Sequence, residues 1–185
     1  FGRFHAEKYA QMEGVELVGV ADSDEARARE VAERHQTRPF FRYSDLFQKV
    51  QAVSIAVPTP FHHAITKECF SQGIDVLLEK PISSTLEEAD ELIGLAKAKG
   101  LILQVGHLER FNPAVDAARG LVSVPLFFEI HRLSVFSPRS LDVDVVSDLM
   151  IHDLDILLSM TCCEPKEVRA AGIGVLSGKV DIANV

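Results

Sequence analysis

The densest run of chemistry-bearing residues is Asp148-Leu149-Met150-Ile151-His152-Asp153-Leu154-Asp155. Asp148, His152 and Asp155 stand at i, i+4 and i+7, which on a helix puts two carboxylates and an imidazole on one face. That face reads as solvated surface, as an acid–base cluster or, least well, as a metal site, because one histidine with carboxylates is only an open, oxygen-rich set. Glu79-Lys80-Pro81 follows the apolar run Ile74–Leu78. An amine placed there can orient a hydroxyl or stabilise negative charge developing on oxygen. Val57-Pro58-Thr59-Pro60-Phe61-His62-His63 follows a second apolar run and, taken alone, reads as a turn made by two prolines. Gly2 enters a helical pattern, and Asp22 comes 20 residues later at the end of the run Val15–Ala21. In dinucleotide folds the last glycine of G-x-G-x-x-G lets the helix pack closely, and an acid about 20 residues on accepts the ribose hydroxyls. With one glycine this signal is weak. Gly2 also reads as a turn or packing glycine, and Asp22 equally well as a helix cap.

The elements that must position these residues alternate through the first half. Apolar runs at Val15–Ala21, Ala52–Val57, Ile74–Leu78 and Leu101–Val105 predict strands. Helical patterns lie between them at Asp24–His35 (capped by Asp22 or Ser23), Ser44–Val50, His62–Gln72 and Thr85–Lys99. The last is the strongest, with Ser84 or Thr85 as cap, acids in its first turn, lysines in its last and Gly100 after it. The strand runs are continuously apolar, which predicts a parallel sheet covered on both faces and joined by right-handed crossovers. After Gly106 the rhythm changes. Asn112–Arg119 predicts a short helix, Leu126–Leu133 a half-exposed strand, 136–140 a loop and Asp148–Met160 a helix; Lys166–Leu176 and Val180–Val185 predict two further strands. Helix followed by strands predicts an α+β unit with an antiparallel sheet, so the fold class is α/β followed by α+β, divided into 1–112 and 113–185.

Composition narrows the function classes. Asp plus Glu number 27 against 19 Lys plus Arg, giving a net charge of −8, so electrostatic binding to nucleic acid is not expected. No apolar run approaches the roughly 18 residues of a membrane span. The three cysteines, Cys69, Cys162 and Cys163, make no disulfide framework and read as free thiols of a cytoplasmic protein. The chain opens on Phe1 rather than Met, so a longer protein is expected.

Taken together, the interrupted fingerprint, P-T-x-x-H after one strand, E-K-P after the next and D-x-x-x-H-x-x-D on a later helix resemble the Gfo/Idh/MocA oxidoreductase family, which includes glucose–fructose oxidoreductase and inositol dehydrogenase. The resemblance runs in order along nearly the whole chain, and E-K-P with D-x-x-x-H is its most specific part. It implies a Rossmann domain, an open and mostly antiparallel sheet domain, and an active site between them. It also implies NAD or NADP and oxidation of a sugar hydroxyl. The matching positions make Lys80, Asp148 and His152 the catalytic set, with His152 as the base. Gly2, Asp22, Pro58, Thr59, His62, Glu79 and Lys80 become the cofactor lining. Asp22 favours NAD, since a 2′-phosphate would meet a carboxylate, and an arginine nearby would readmit NADP.

Gly106–Pro113 and His131–Asp144 look like the branch of that family that acts on UDP-sugars, including UDP-N-acetylglucosamine 3-dehydrogenases. Asp155 and Arg139 are then assigned to the substrate; Arg139 reads as a pyrophosphate ligand or as a surface arginine. A homodimer or homotetramer through the C-terminal sheet is expected, and no metal is assigned. His5, His35, His63, His107 and His131 read as ordinary packing or surface histidines. Two alternatives stand beside this reading: a non-catalytic dinucleotide-binding protein of the same fold, and a metal-dependent enzyme using Asp148, His152 and Asp155.

Overall fold

A computed structural model describes residues 1–135, 143–161 and 163–185. These form two compact units, Phe1–Val105 and Gly106–Val185. This division lies earlier in the chain than the boundary expected after Asn112.

The first unit is built of parallel strands and helices. Helix α1 (Gly2–Gln11) comes first, then β1 (Gly19–Ala21), α2 (Glu25–Arg34) and β2 (Arg38–Phe40), with β1 and β2 paired in parallel. A Cβ at Gly19 would come within 2.7 Å of the Arg38 carbonyl oxygen, so this ladder closes only over a glycine. Strand β2 was not expected from the sequence. It contains Pro39 and pairs with β1 alone among the described residues, the edge position that a proline tolerates.

A second parallel sheet holds β3 (Ala52–Ile55), β4 (Asp75–Leu78) and β5 (Leu103–Val105), in that order. Its strands are joined by α3 (His62–Ser71) and α4 (Leu86–Lys99). Ile55, Val76 and Leu78 face the core under both helices, where Cys69, Phe70, Leu92 and Ala96 meet them. His62, Thr66, Cys69 and Phe70 are the buried residues of α3, a stripe at helical spacing. The opposite sheet face is only half-covered: Tyr9 of α1 bonds Ser54 of β3 at 2.6 Å, while Gln104 is exposed. Helix α4 matches its sequence signals. The Thr85 side chain accepts from the Glu88 N–H at 3.3 Å, and Gly100 ends the helix at φ +65°.

In the second unit, Asn112 caps α5 (Pro113–Leu121), accepting from the Ala114 N–H at 3.0 Å. The strand expected at Leu126–Leu133 has no ladder partner among the described residues. Leu126 and Leu133 are 93% and 94% exposed, so the alternating pattern is present without a sheet to bury its apolar side. The helix expected over Asp148–Met160 is two structures in series, a π turn at Val146–Met150 and α6 (Ile151–Thr161). The two strands expected after it shorten to β6 (Ala171–Ile173) and β7 (Ile182–Asn184), an antiparallel pair. Asp181 clasps their connection, accepting from the N–H groups of Val175, Leu176 and Ser177 and from the Ser177 hydroxyl at 2.6–2.8 Å. Those donors hold its carboxyl far below the usual carboxylate range.

Candidate active site

In the first unit the sequence-predicted residues gather where parallel strands end, the edge at which such sheets bind ligands. Ile55 and Leu78 are register partners, so the loop carrying Pro58 and Thr59 runs beside the one carrying Glu79 and Lys80. His62 joins them. Its ring is 1% exposed, with Nδ1 2.8 Å from the Pro81 carbonyl oxygen and Nε2 2.9 Å from that of Val57. With both nitrogens turned to the backbone, His62 sits behind these loops and holds them together. Thr59 is buried in the 3-10 turn that precedes α3, Pro58 beside it is exposed, and Lys80 is half-buried. The Lys80–Pro81 peptide is cis.

Glu79 is anchored from a direction the sequence did not show. His5 of α1 reaches its carboxylate, Nε2 to Oε1 at 2.7 Å, with the two side chains 15% and 12% exposed. Burial raises the Glu79 carboxyl, but the His5 hydrogen bond and charge, helped by the Lys80 N–H and ammonium, outweigh it and hold the group below its ordinary value. His5 was an ordinary packing histidine on sequence grounds because its partner lies 74 residues away.

Asp22 follows β1, but the cap of α2 is Asp24, whose carboxylate accepts from the Arg27 N–H at 3.1 Å. The capping role expected of Asp22 or Ser23 therefore passes to Asp24. Asp22 accepts from the Asp24 N–H at 2.9 Å, stays 28% exposed and has the Arg27 guanidinium 3.5 Å away. Gly2 lies in the first turn of α1. A Cβ there would meet only Ala56, at 3.9 Å, so close helix packing is not what requires a glycine.

In the second unit Asp148 lies in the π turn and His152 in the first turn of α6, so the i, i+4 step between them crosses a change of helix type. A π turn bonds i to i+5 and is frequent at functional sites. Asp148 and His152 are both half-buried. Asp155, expected on the same face, is held by Arg110, Nε to Oδ2 at 3.0 Å with a second contact from Nη2 to Oδ1. Asp153 is buried and takes three contacts of 2.7–2.9 Å from Arg132, tying the segment that carries Arg132 to α6. Among the described residues no group of three or more His, Cys, Asp and Glu is arranged to hold a metal ion. Arg139 and Cys162 lie outside the described residues, as does the loop expected at 136–140. No helix among the described residues is long and apolar enough to cross a membrane.

Residues 1–107 match the model of the GFO/IDH/MocA family, described as an oxidoreductase family with an NAD-binding Rossmann fold. The chain belongs to this family. Among curated relatives, UDP-N-acetylglucosamine 3-dehydrogenase of Acidithiobacillus ferrooxidans is 44% identical over 183 residues, which is 98% of this chain and 58% of that enzyme. Inositol 2-dehydrogenase of Rubrobacter xylanophilus is 35% identical over 164 residues, 83% of this chain and 47% of that protein. A solved structure of UDP-N-acetylglucosamine 3-dehydrogenase from Acidithiobacillus ferrooxidans superposes with a TM-score of 0.91, covering 98% of this chain and 60% of that one. The chain thus spans about half to three-fifths of the length of these relatives. The α/β Rossmann expectation and the small antiparallel sheet after it agree with this family membership. The first unit also suits a dinucleotide: a partly exposed carboxylate after β1, a helix start with open space at Gly2, and two adjoining loops ending in Lys80.

Proposed function

We propose that the protein oxidises a hydroxyl of a sugar or nucleotide sugar, of the UDP-N-acetylglucosamine type, with NAD as the electron acceptor. The observation that carries this reading is the 44% identity to a UDP-N-acetylglucosamine 3-dehydrogenase over 98% of the chain, with Glu79-Lys80-Pro81 at a strand end and Asp148 and His152 on a π-to-α junction.

Bound at the first unit, the nicotinamide would supply the acceptor for the hydride that leaves the substrate carbon. Asp22 takes the ribose hydroxyls; Gly2, Pro58, Thr59, Glu79 and Lys80 line the rest, and His62 supports the lining from behind. Lys80 holds the reacting hydroxyl and its developing negative charge. His152 removes the hydroxyl proton as the carbon becomes a carbonyl, a general-base role that imidazole side chains commonly fill, and Asp148 orients it. Arg27 beside Asp22 keeps NADP within the reading as the lesser acceptor.

Asp155 is assigned to the substrate wall through the arginine it holds, and Arg139 to a pyrophosphate. A homodimer or homotetramer through the β6–β7 sheet goes with this reading, supported by Ile173 and Ile182 at 60% and 58% exposed; a strict monomer by light scattering would contradict it. A cytoplasmic setting is supported by the buried free thiol of Cys69. The test is to mix the intact protein with NAD and panels of UDP-sugars and free sugars while following absorbance of the reduced cofactor. Turnover is expected with a nucleotide sugar and lost in His152→Ala. Cofactor binding without turnover on any sugar would replace this reading with the non-catalytic one.

A further inference from the structure

Lys80 stands between two residues that are each gripped by a histidine. On its N-terminal side, the Glu79 carboxylate is 2.7 Å from His5 Nε2, reached from α1 on one side of the sheet. On its C-terminal side, the Pro81 carbonyl is 2.8 Å from His62 Nδ1, reached from α3 on the other. The second nitrogen of His62 faces the Val57 carbonyl at 2.9 Å, so the same ring also fixes the neighbouring loop. A carbonyl oxygen only accepts and a neutral imidazole carries one N–H, so the tautomer decides which of the two carbonyls the His62 ring donates to. Both histidines are largely out of solvent, where a lost hydrogen bond leaves a polar group unsatisfied and the loop free to move. Glu79, Lys80 and Pro81 are consecutive, so an amine at Lys80 has little freedom left in the backbone that carries it.

We propose that His5 and His62 are positioning residues that set the Lys80 amine from the two sides of the sheet. This rests on the reading of Lys80 as a residue of the proposed active site. His5 is not a catalytic residue in it: its ring is spent on Glu79, and it acts through the loop.

The experiment uses the intact protein with His5→Ala, His5→Gln, His62→Gln and, as control, His63→Ala. His63 sits on the same helix as His62 and makes the same kind of bond, 2.7 Å to Glu91 of α4 rather than to the Lys80 loop. Two quantities are read in folded protein: kcat and KM for the sugar oxidation, and the rate at which a trace of acetic anhydride acetylates Lys80 relative to Lys97, by mass spectrometry. His5→Ala is expected to lower kcat by about tenfold or more with KM for NAD within about threefold, since small displacements of a reacting group are costly. It is also expected to change relative acetylation of Lys80 by more than about threefold. His5→Gln, which keeps a donor for Glu79, should recover most of both, and His63→Ala should change neither. A purely structural role would lower stability while leaving kcat per folded molecule and the acetylation ratio unchanged; that result in His5→Ala overturns the proposal. If His62→Gln does not fold, His5→Ala and its glutamine rescue still decide. If the wild type oxidises no sugar, the functional reading fails, and the acetylation ratio alone settles the positioning.

Discussion

Replacing Asp153 by alanine should cost about 2–3 kcal/mol of stability. Arg132 binds this carboxylate through Nε at 2.9 Å to each oxygen and through Nη2 at 2.7 Å to Oδ1. Asp153 is 12% exposed and Arg132 33%. Breaking a fully buried pair from one side costs about 3–5 kcal/mol, whereas an exposed pair is worth about 0–1 kcal/mol. One deeply buried partner and one a third exposed place the cost between those limits, nearer the upper one. The Asp153 hydrogen bonds also raise the Arg132 guanidinium above its ordinary value, against the desolvation that lowers it. The assay is a urea double-mutant cycle with Asp153→Ala, Arg132→Met and the pair. The expected coupling is about 2 kcal/mol, with the double variant recovering part of the loss because no orphaned charge remains. A coupling within about 0.5 kcal/mol of zero would refute the view that this pair, rather than sheet pairing, fixes the segment around Arg132 onto α6.

Other consequences follow from individual groups. The Glu79 carboxyl is held low in the fold, so its contribution to stability is present above the unfolded value near 4.3 and fades as pH falls through the folded one. The urea-midpoint difference between wild type and His5→Ala should therefore shrink on acidification below about pH 4, and a difference constant with pH would contradict it. Burial first, and the Glu68 charge second, push the Cys69 thiol up to about 11, so iodoacetamide at pH 8 should label it only after unfolding; rapid native labelling would show the site to be open. Phe70 is fully buried at the centre of the α3–β4 core, and Phe70→Ala should cost about 3–5 kcal/mol in denaturant titration. Asp181→Ala should accelerate hydrogen exchange at the amides of Val175, Leu176 and Ser177, and protection unchanged there would mean that the carboxylate does not organise the turn.

Local signals carried well into structure, and distant ones did not. Helix α4 was legible because Thr85, its acidic first turn and Gly100 each act within a few residues of the backbone they satisfy. Strands β3, β4 and β5 were legible as apolar runs ended by turn residues. Strand β2 was not: Arg38-Pro39-Phe40 has too little apolar length, and only its partner β1 makes it a strand. At Leu126–Leu133 the alternation was real, but a period of two describes side chains and does not supply a neighbouring strand.

The candidate site divides in the same way. Motif spacing singled out Lys80, Asp148 and His152, and the structure puts the first just after β4 and the other two across the junction of the π turn with α6. The π turn was not legible, because Asp148-to-His152 spacing is the same in either helix type. Nor were the ion pairs: Arg110 with Asp155 spans 45 residues and His5 with Glu79 spans 74, and nothing in the local sequence marks the two ends as partners.

The central proposal is that this chain belongs to an enzyme moving a hydride from a sugar carbon to NAD, with Lys80 and His152 acting on the reacting hydroxyl. It is tested most directly by incubating the intact protein with NAD and a UDP-sugar carrying deuterium at the carbinol carbon, and weighing the reduced cofactor by mass spectrometry. One deuterium in the reduced cofactor, lost when His152 is replaced by alanine or Lys80 by methionine, is the predicted result. NAD bound but never reduced with any sugar, or deuterium transfer undiminished in both variants, would contradict the account.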